Sequence, residues 1–123
     1  MTALTVVLPA GEVTVSTLFD APADPGSTWA AVALAHGAGA GMDHPFLTGF
    51  AGALNDAGIA TLRFVFPYRE AERRMPGPAA HAVATWSAVM PELARLAPGV
   101  PQVAAGKSYG GREAAVAAAD GGS

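Results

Sequence analysis

The sequence predicts an α/β fold, a mostly parallel sheet with helices on both faces. Three observations carry that reading. Two alternating, β-rich stretches open the chain, and a continuous apolar run follows at residues 29–35. From there strand patterns and helical patterns take turns to the end. The chain has 123 residues, which predicts a single domain over 1–123 with room for a real core. Hydrophobic residues make up 51% of it and charged ones 14%, a balance that excludes a disordered chain.

Each element has its own signal. Residues 4–8 and 12–19 read as strands, with Val13, Val15 and Thr17 alternating against Thr14, Ser16 and Leu18. Pro9, Ala10 and Gly11 between them predict a hairpin turn, and residues 21–27, with two prolines and a glycine, a loop. The run at 29–35 is apolar on both alternations, as a strand covered on both faces must be. After a glycine-rich turn at 37–41, Pro45 sits where a first helical residue is cheapest. Phe46, Leu47, Phe50, Ala51, Leu54 and Ala57 then recur at helical spacing until Gly58 stops them. Residues 59–66 form the next strand, ended by Pro67. A charged loop over 69–78 leads to a second helical pattern: Val83, Trp86, Val89 or Met90, Leu93 and Leu96. Pro91 inside it predicts a kink or a fresh helix start. Pro98 and Gly99 close the segment, residues 100–105 are a short strand, and an Ala-rich helix ends near Asp120.

Composition excludes several function classes. A net charge of −3 without patterning gives no electrostatic case for nucleic acid or an anionic membrane. With no cysteine there is neither a disulfide scaffold nor a thiolate metal site, and three histidines on three separate segments predict no metal site. No cofactor motif is present. Residues 1–10 lack a basic start, and the run at 29–35 is far too short to span a bilayer, so the expected location is the cytoplasm.

Chemistry concentrates at Gly106-Lys107-Ser108-Tyr109-Gly110, a full G-x-S-x-G with a strand before it and a helix after it. A serine on so sharp a turn needs clearance, which Gly106 and Gly110 supply. The helix start behind it turns amides toward the place where negative charge develops in acyl transfer. A phosphate-binding loop would need glycine at position 101, where Pro101 stands. A capping serine on a glycine-rich turn is the plainer alternative. Against it stands a second loop of the same kind. Residues 34–41 place His36, Gly37 and Ala38 directly after a buried strand, where this architecture supplies the second oxyanion amide to partner that of Tyr109. His36 is expected to support that loop through hydrogen bonds.

These residues together resemble the α/β-hydrolase superfamily in its dienelactone-hydrolase-like branch. They are most similar to the small hydrolases grouped with testis-expressed protein 30 and the hydrolase-like domain of NSL complex subunit 3. The matching stretches are His36-Gly37-Ala38-Gly39, residues 42–46, Arg63-Phe64-Val65-Phe66-Pro67-Tyr68 and residues 106–112. The resemblance implies a serine hydrolase-like fold and not a known substrate; the parent reaction expected of it is hydrolysis of a small-molecule ester, thioester or lactone through an acyl-enzyme on Ser108. That branch also includes members thought to serve as scaffolds.

The fold orders its triad as Ser, then Asp or Glu, then His. After Ser108 only fifteen residues follow, with Glu113 and Asp120 but no histidine. The chain therefore reads as a fold truncated after the nucleophile elbow and its helix, inactive or nearly so. An interaction module that keeps the fold without the chemistry, or a gene fragment, is the alternative. His44, just before a helix, is the upstream residue best placed to substitute as base. His81 reads as solvated, and Lys107, adjacent to Ser108, points away from it. Without a further strand beside it, the strand at 100–105 becomes an exposed sheet edge, open to a protein partner or to self-association.

Overall fold

A computed structural model describes residues 2–36, 42, 45–67 and 79–106. Five strands form one sheet: β1 (Thr2–Leu8), β2 (Gly11–Asp20), β3 (Ala30–Ala35), β4 (Ile59–Phe64) and β5 (Gln102–Gly106). Two helices complete the described elements, α1 (Pro45–Asp56) between β3 and β4 and α2 (Ala79–Leu96) between β4 and β5. The expected Ala-rich helix near Asp120 lies outside the described residues.

The strand order is β1-β2-β4-β3-β5. β1 and β2 form the predicted hairpin, with Leu8 opposite Gly11 across the two-residue turn Pro9-Ala10. Gly11 takes a φ of 139°, a backbone that side-chain-bearing residues rarely adopt. β2 then runs antiparallel to β4, whereas β4, β3 and β5 are mutually parallel. The sheet is therefore mixed at its hairpin end and parallel beyond it.

Alternation along the central strands sorts the core into two layers. Ala31, Ala33 and Ala35 of β3 and Ala60, Leu62 and Phe64 of β4 face α2, which fills the layer with Trp86, Val89, Met90 and Leu93. The small alanines leave room for the indole of Trp86, which stands edge-on to Phe64 at 4.9 Å. Val32 and Leu34 face the other way and pack on Leu47 and Ala51 of α1. All six residues of β3 are buried, which explains its unbroken apolar run.

Several boundaries shift by one or two residues from the sequence pattern, and three departures from that pattern have a plain physical reason. β3 begins at Ala30, because Trp29 is 60% exposed and closes the far end of α1 instead. Its backbone N–H donates to Gly58 O at 3.0 Å and its indole Nε1 to Ala57 O at 2.7 Å. β4 ends at Phe64. Val65 N–H still donates to Ser16 O, but the next amide, that of Phe66, turns to a side chain. α2 runs unbroken through Pro91, with no fresh start there. Pro91 is exposed, so its ring meets solvent while Trp86, Val89, Met90 and Leu93 hold the helix to the sheet.

Candidate active site at the carboxyl ends of the parallel strands

The three parallel strands finish level with one another. Ala35 pairs with Phe64 on one side and with Gly106 on the other, so β3, β4 and β5 release the chain at the same edge. Their order makes that edge special. From β3 the chain crosses over α1 to β4 on one side, then over α2 to β5 on the opposite side of β3. The direction of winding reverses at β3, and the two crossover helices lie on opposite faces. Open α/β sheets bind ligands in the crevice outside the carboxyl ends of strands at such a reversal. By that rule the candidate site is the edge between the ends of β3 and β5.

His36 is the first residue past β3. It is fully buried, and Phe66 N–H donates to its Nε2 at 3.1 Å. An accepting Nε2 carries no proton, so this nitrogen is committed to the backbone. The ring stands edge-on to that of Phe66 at 5.0 Å, Phe66 edge-on to Phe64 at 5.3 Å, and Phe64 against Trp86. A continuous stack of rings thus joins the α2 layer to the end of β3. His36 ties the chain leaving β3 to the chain leaving β4; the oxyanion loop it was expected to support lies outside the described residues.

Gly106 is the last residue of β5. Lys107, Ser108, Tyr109 and Gly110, which complete the elbow motif, lie outside the described residues, as do Gly37, Ala38 and His44. Residues 69–78, Glu113 and Asp120 lie outside them too. His81 sits in the first turn of α2, partly buried, its carbonyl accepting from Thr85 Oγ1 at 2.7 Å. Among the described residues no three His, Cys, Asp or Glu side chains gather in a way that would hold a metal ion. No helix among them is long and apolar enough to cross a membrane.

Arg63 is the residue that pattern reading left unassigned. It lies next to the end of β4, buried, and reaches three segments at once. Nη2 donates to Asp20 Oδ2 at 3.0 Å, while Nη1 donates to Met42 O at 3.2 Å and to Thr48 Oγ1 at 3.1 Å. A signal was available: a lone cation inside an otherwise apolar strand must find partners, because an unpaired buried charge is prohibitively costly. The sequence does not say which partners, since they come from positions 15, 21 and 43 residues away.

One cavity, of about 260 Å³, lies at the opposite end of the sheet, lined by Phe19, Ala60, Leu96 and Val100 among others. Ala60 is near the start of β4, and Val100 precedes β5. This cavity therefore sits at the amino ends of the parallel strands, away from their carboxyl ends.

Comparison with known proteins places this architecture. The chain is similar over 97% of its length to an alpha-beta serine hydrolase homologue from Coxiella burnetii, with 20% identity and a TM-score of 0.74. Est1E from Butyrivibrio proteoclasticus matches 98% of the chain with 19% identity and a TM-score of 0.77. A serine hydrolase without a lid from Xanthomonas campestris matches 97%, with 24% identity and a TM-score of 0.75. The chain spans about half the length of these structures, 57%, 46% and 56% respectively. No curated protein matches it. A family model described as an alpha/beta hydrolase domain matches residues 28–122. With its sheet order, its reversal at β3 and that match in hand, the chain belongs to the alpha/beta hydrolase domain family.

Proposed function

We propose that this chain carries the nucleophile half of a serine hydrolase, with Ser108 as the attacking residue. The single observation that supports it most is the pairing of Ala35 with Gly106. It brings the carboxyl ends of β3 and β5 level with each other at the winding reversal. Consecutive Cα atoms are 3.80 Å apart, so the Cα of Ser108 stands within about 7.6 Å of that of Gly106 in any conformation. The same bound keeps Gly37 and Ala38 close to Ala35.

In this reading Ser108 Oγ attacks the carbonyl carbon of an ester, thioester or lactone. The amides of Tyr109 and of Gly37 or Ala38 stabilise the oxyanion, and Gly106 and Gly110 keep the turn clear. The alcohol or thiol leaves with a proton, and water then releases the acyl group from Ser108. His36 supports the oxyanion loop and is not the base, because its Nε2 already accepts from Phe66. No cofactor enters the reaction. The substrate is a small molecule, the compartment the cytoplasm, and the finer affiliation the dienelactone-hydrolase-like branch.

No histidine follows Ser108, so within these 123 residues the serine proton goes to solvent. Dismantled triads retain roughly 10³–10⁴-fold acceleration over water from the oxyanion hole and binding alone. Turnover by this chain is therefore expected to be very low, and a reactive phosphonate is the suitable probe. A fluorophosphonate should label the chain slowly, faster as pH rises, and Ser108→Ala should abolish the labelling. Labelling that persists in Ser108→Ala, or its absence from the wild-type chain at alkaline pH, would sink the reading.

A second reading is a non-catalytic module of the same fold. Its contact would be the outer edge of β5, where Val103 is 47% exposed.

A further inference from the structure

Arg63 contacts more than an ion pair requires. Asp20, at the end of β2, balances its charge at 3.0 Å and leaves Nη1 free to do something else. Nη1 goes to the segment between β3 and α1. It donates to the backbone carbonyl of Met42 and to the hydroxyl of Thr48, in the first turn of α1. Met42 is itself buried, and it follows Ala38 by four residues. One rigid guanidinium therefore joins β2, β4, the β3–α1 connection and α1. A planar fork with donors pointing in different directions can do this, and a lysine ammonium cannot hold the same three angles.

We propose that Arg63 is a positioning residue for the oxyanion loop, setting the path of the segment that carries the Gly37 and Ala38 amides through its grip on Met42 and Thr48. The inference rests on the reading of Ser108 as nucleophile and of those amides as oxyanion donors. Arg63 does not touch substrate. It acts because oxyanion donors work only within a few tenths of an ångström of the developing charge, and a displacement of about 1 Å can cost on the order of 100-fold.

The test is the rate at which a fluorophosphonate labels the full chain. In that step Ser108 Oγ forms a bond to phosphorus, fluoride leaves with the bonding pair, and the serine proton goes to solvent base. The phosphoryl oxygen takes the place of the carbonyl oxygen between the oxyanion amides. The variant is Arg63→Met, which removes the donors together with the buried charge and keeps much of the side chain's volume. The maximal labelling rate should fall about 10-fold or more, with half-saturating probe concentration and final labelled fraction unchanged. Thr48→Val removes one contact and should move the rate in the same direction by less. Arg63→Lys should recover part of it.

A merely structural role would instead lower the final labelled fraction, through unfolded molecules, and leave the rate of the folded ones untouched. That outcome overturns the proposal, as does a wild-type rate in Arg63→Met. Should Arg63→Met fail to fold, Thr48→Val decides, and an unchanged rate there overturns it. Ser108→Ala separates the two layers of inference. If labelling survives Ser108→Ala, the nucleophile reading fails. If it vanishes there while Arg63→Met and Thr48→Val label like wild type, only the role of Arg63 fails.

Discussion

His36 shows how a polar residue is tolerated in a fully buried position. Its Nε2 takes the amide of Phe66, the first amide of that strand to leave the β-ladder, and its ring completes a stack that reaches Trp86. Replacing it by alanine would leave that amide without its acceptor and open a cavity beside Phe66. The expected loss is about 2–4 kcal/mol in urea-induced unfolding, and a loss below roughly 1 kcal/mol would show that the bond carries little. That His36 would need a hydrogen-bond partner was legible because it follows a buried strand. Its partner was not, because nothing in residues 59–66 marks Phe66 as the point where the ladder ends. Arg63 repeats the lesson. The need for partners is visible in the sequence, but Asp20, Met42 and Thr48 are brought to it only by the sheet order.

Elements were legible to within a residue or two wherever one physical cause dominates. The two-sided burial of β3, the Pro45 start of α1 and the Gly58 stop all follow from steric or solvation rules that act locally. Where two causes compete, the tertiary one prevails. Pro91 lacks an N–H for the helix ladder, yet α2 continues through it, held on both sides by buried contacts to the sheet. Just beyond it Arg95 makes two 2.8 Å bonds to the carboxylate of Glu92. These bonds hold the Glu92 carboxyl below its ordinary value. The pair's stabilisation is thus present above the usual carboxylate pKa and lost as acid protonates Glu92, and on an exposed helix face it is small. Trp29 was read as the first residue of a strand and is instead a clasp on the turn at Gly58. That glycine has φ 87°, and a Cβ there would meet Trp29 Cδ1 at 2.9 Å. Gly58→Ala should therefore cost about 1–2 kcal/mol for the backbone alone, and more because the indole must swing away from Ala57 O. The second part should disappear in a Trp29→Ala background. A double-mutant cycle with additive penalties would show that the clash is relieved without cost.

At the scale of the whole molecule the described strands leave two sheet edges, β1 beside β2 and β5 beside β3, and each edge strand sends one residue, Leu4 and Ala104, to the α2 layer. β5 reads Gln-Val-Ala-Ala-Gly, with no charge and no proline within it, and Val103 stands half-exposed on it. Edge strands that stay monomeric are usually blunted by lysine, proline or a bulge, because a row of unpaired amides and carbonyls templates another strand. None of these devices is present in β5. We propose that self-association at this edge, one of the two outcomes expected from the sequence, takes the form of an antiparallel pairing of β5 with β5 of a second copy about a two-fold axis. Sedimentation of the 123-residue chain across a concentration series should show mass rising with concentration. Val103→Lys should shift that rise to higher concentration, since pairing would then bring two lysines together across the axis. Val7→Lys, on the opposite edge where Val7 is 67% exposed, should leave it unchanged. A chain that sediments as a monomer throughout would exclude this pairing. If Val103→Lys associates like the wild type while Val7→Lys does not, the contact belongs to the hairpin edge, and β5 is not where two copies meet.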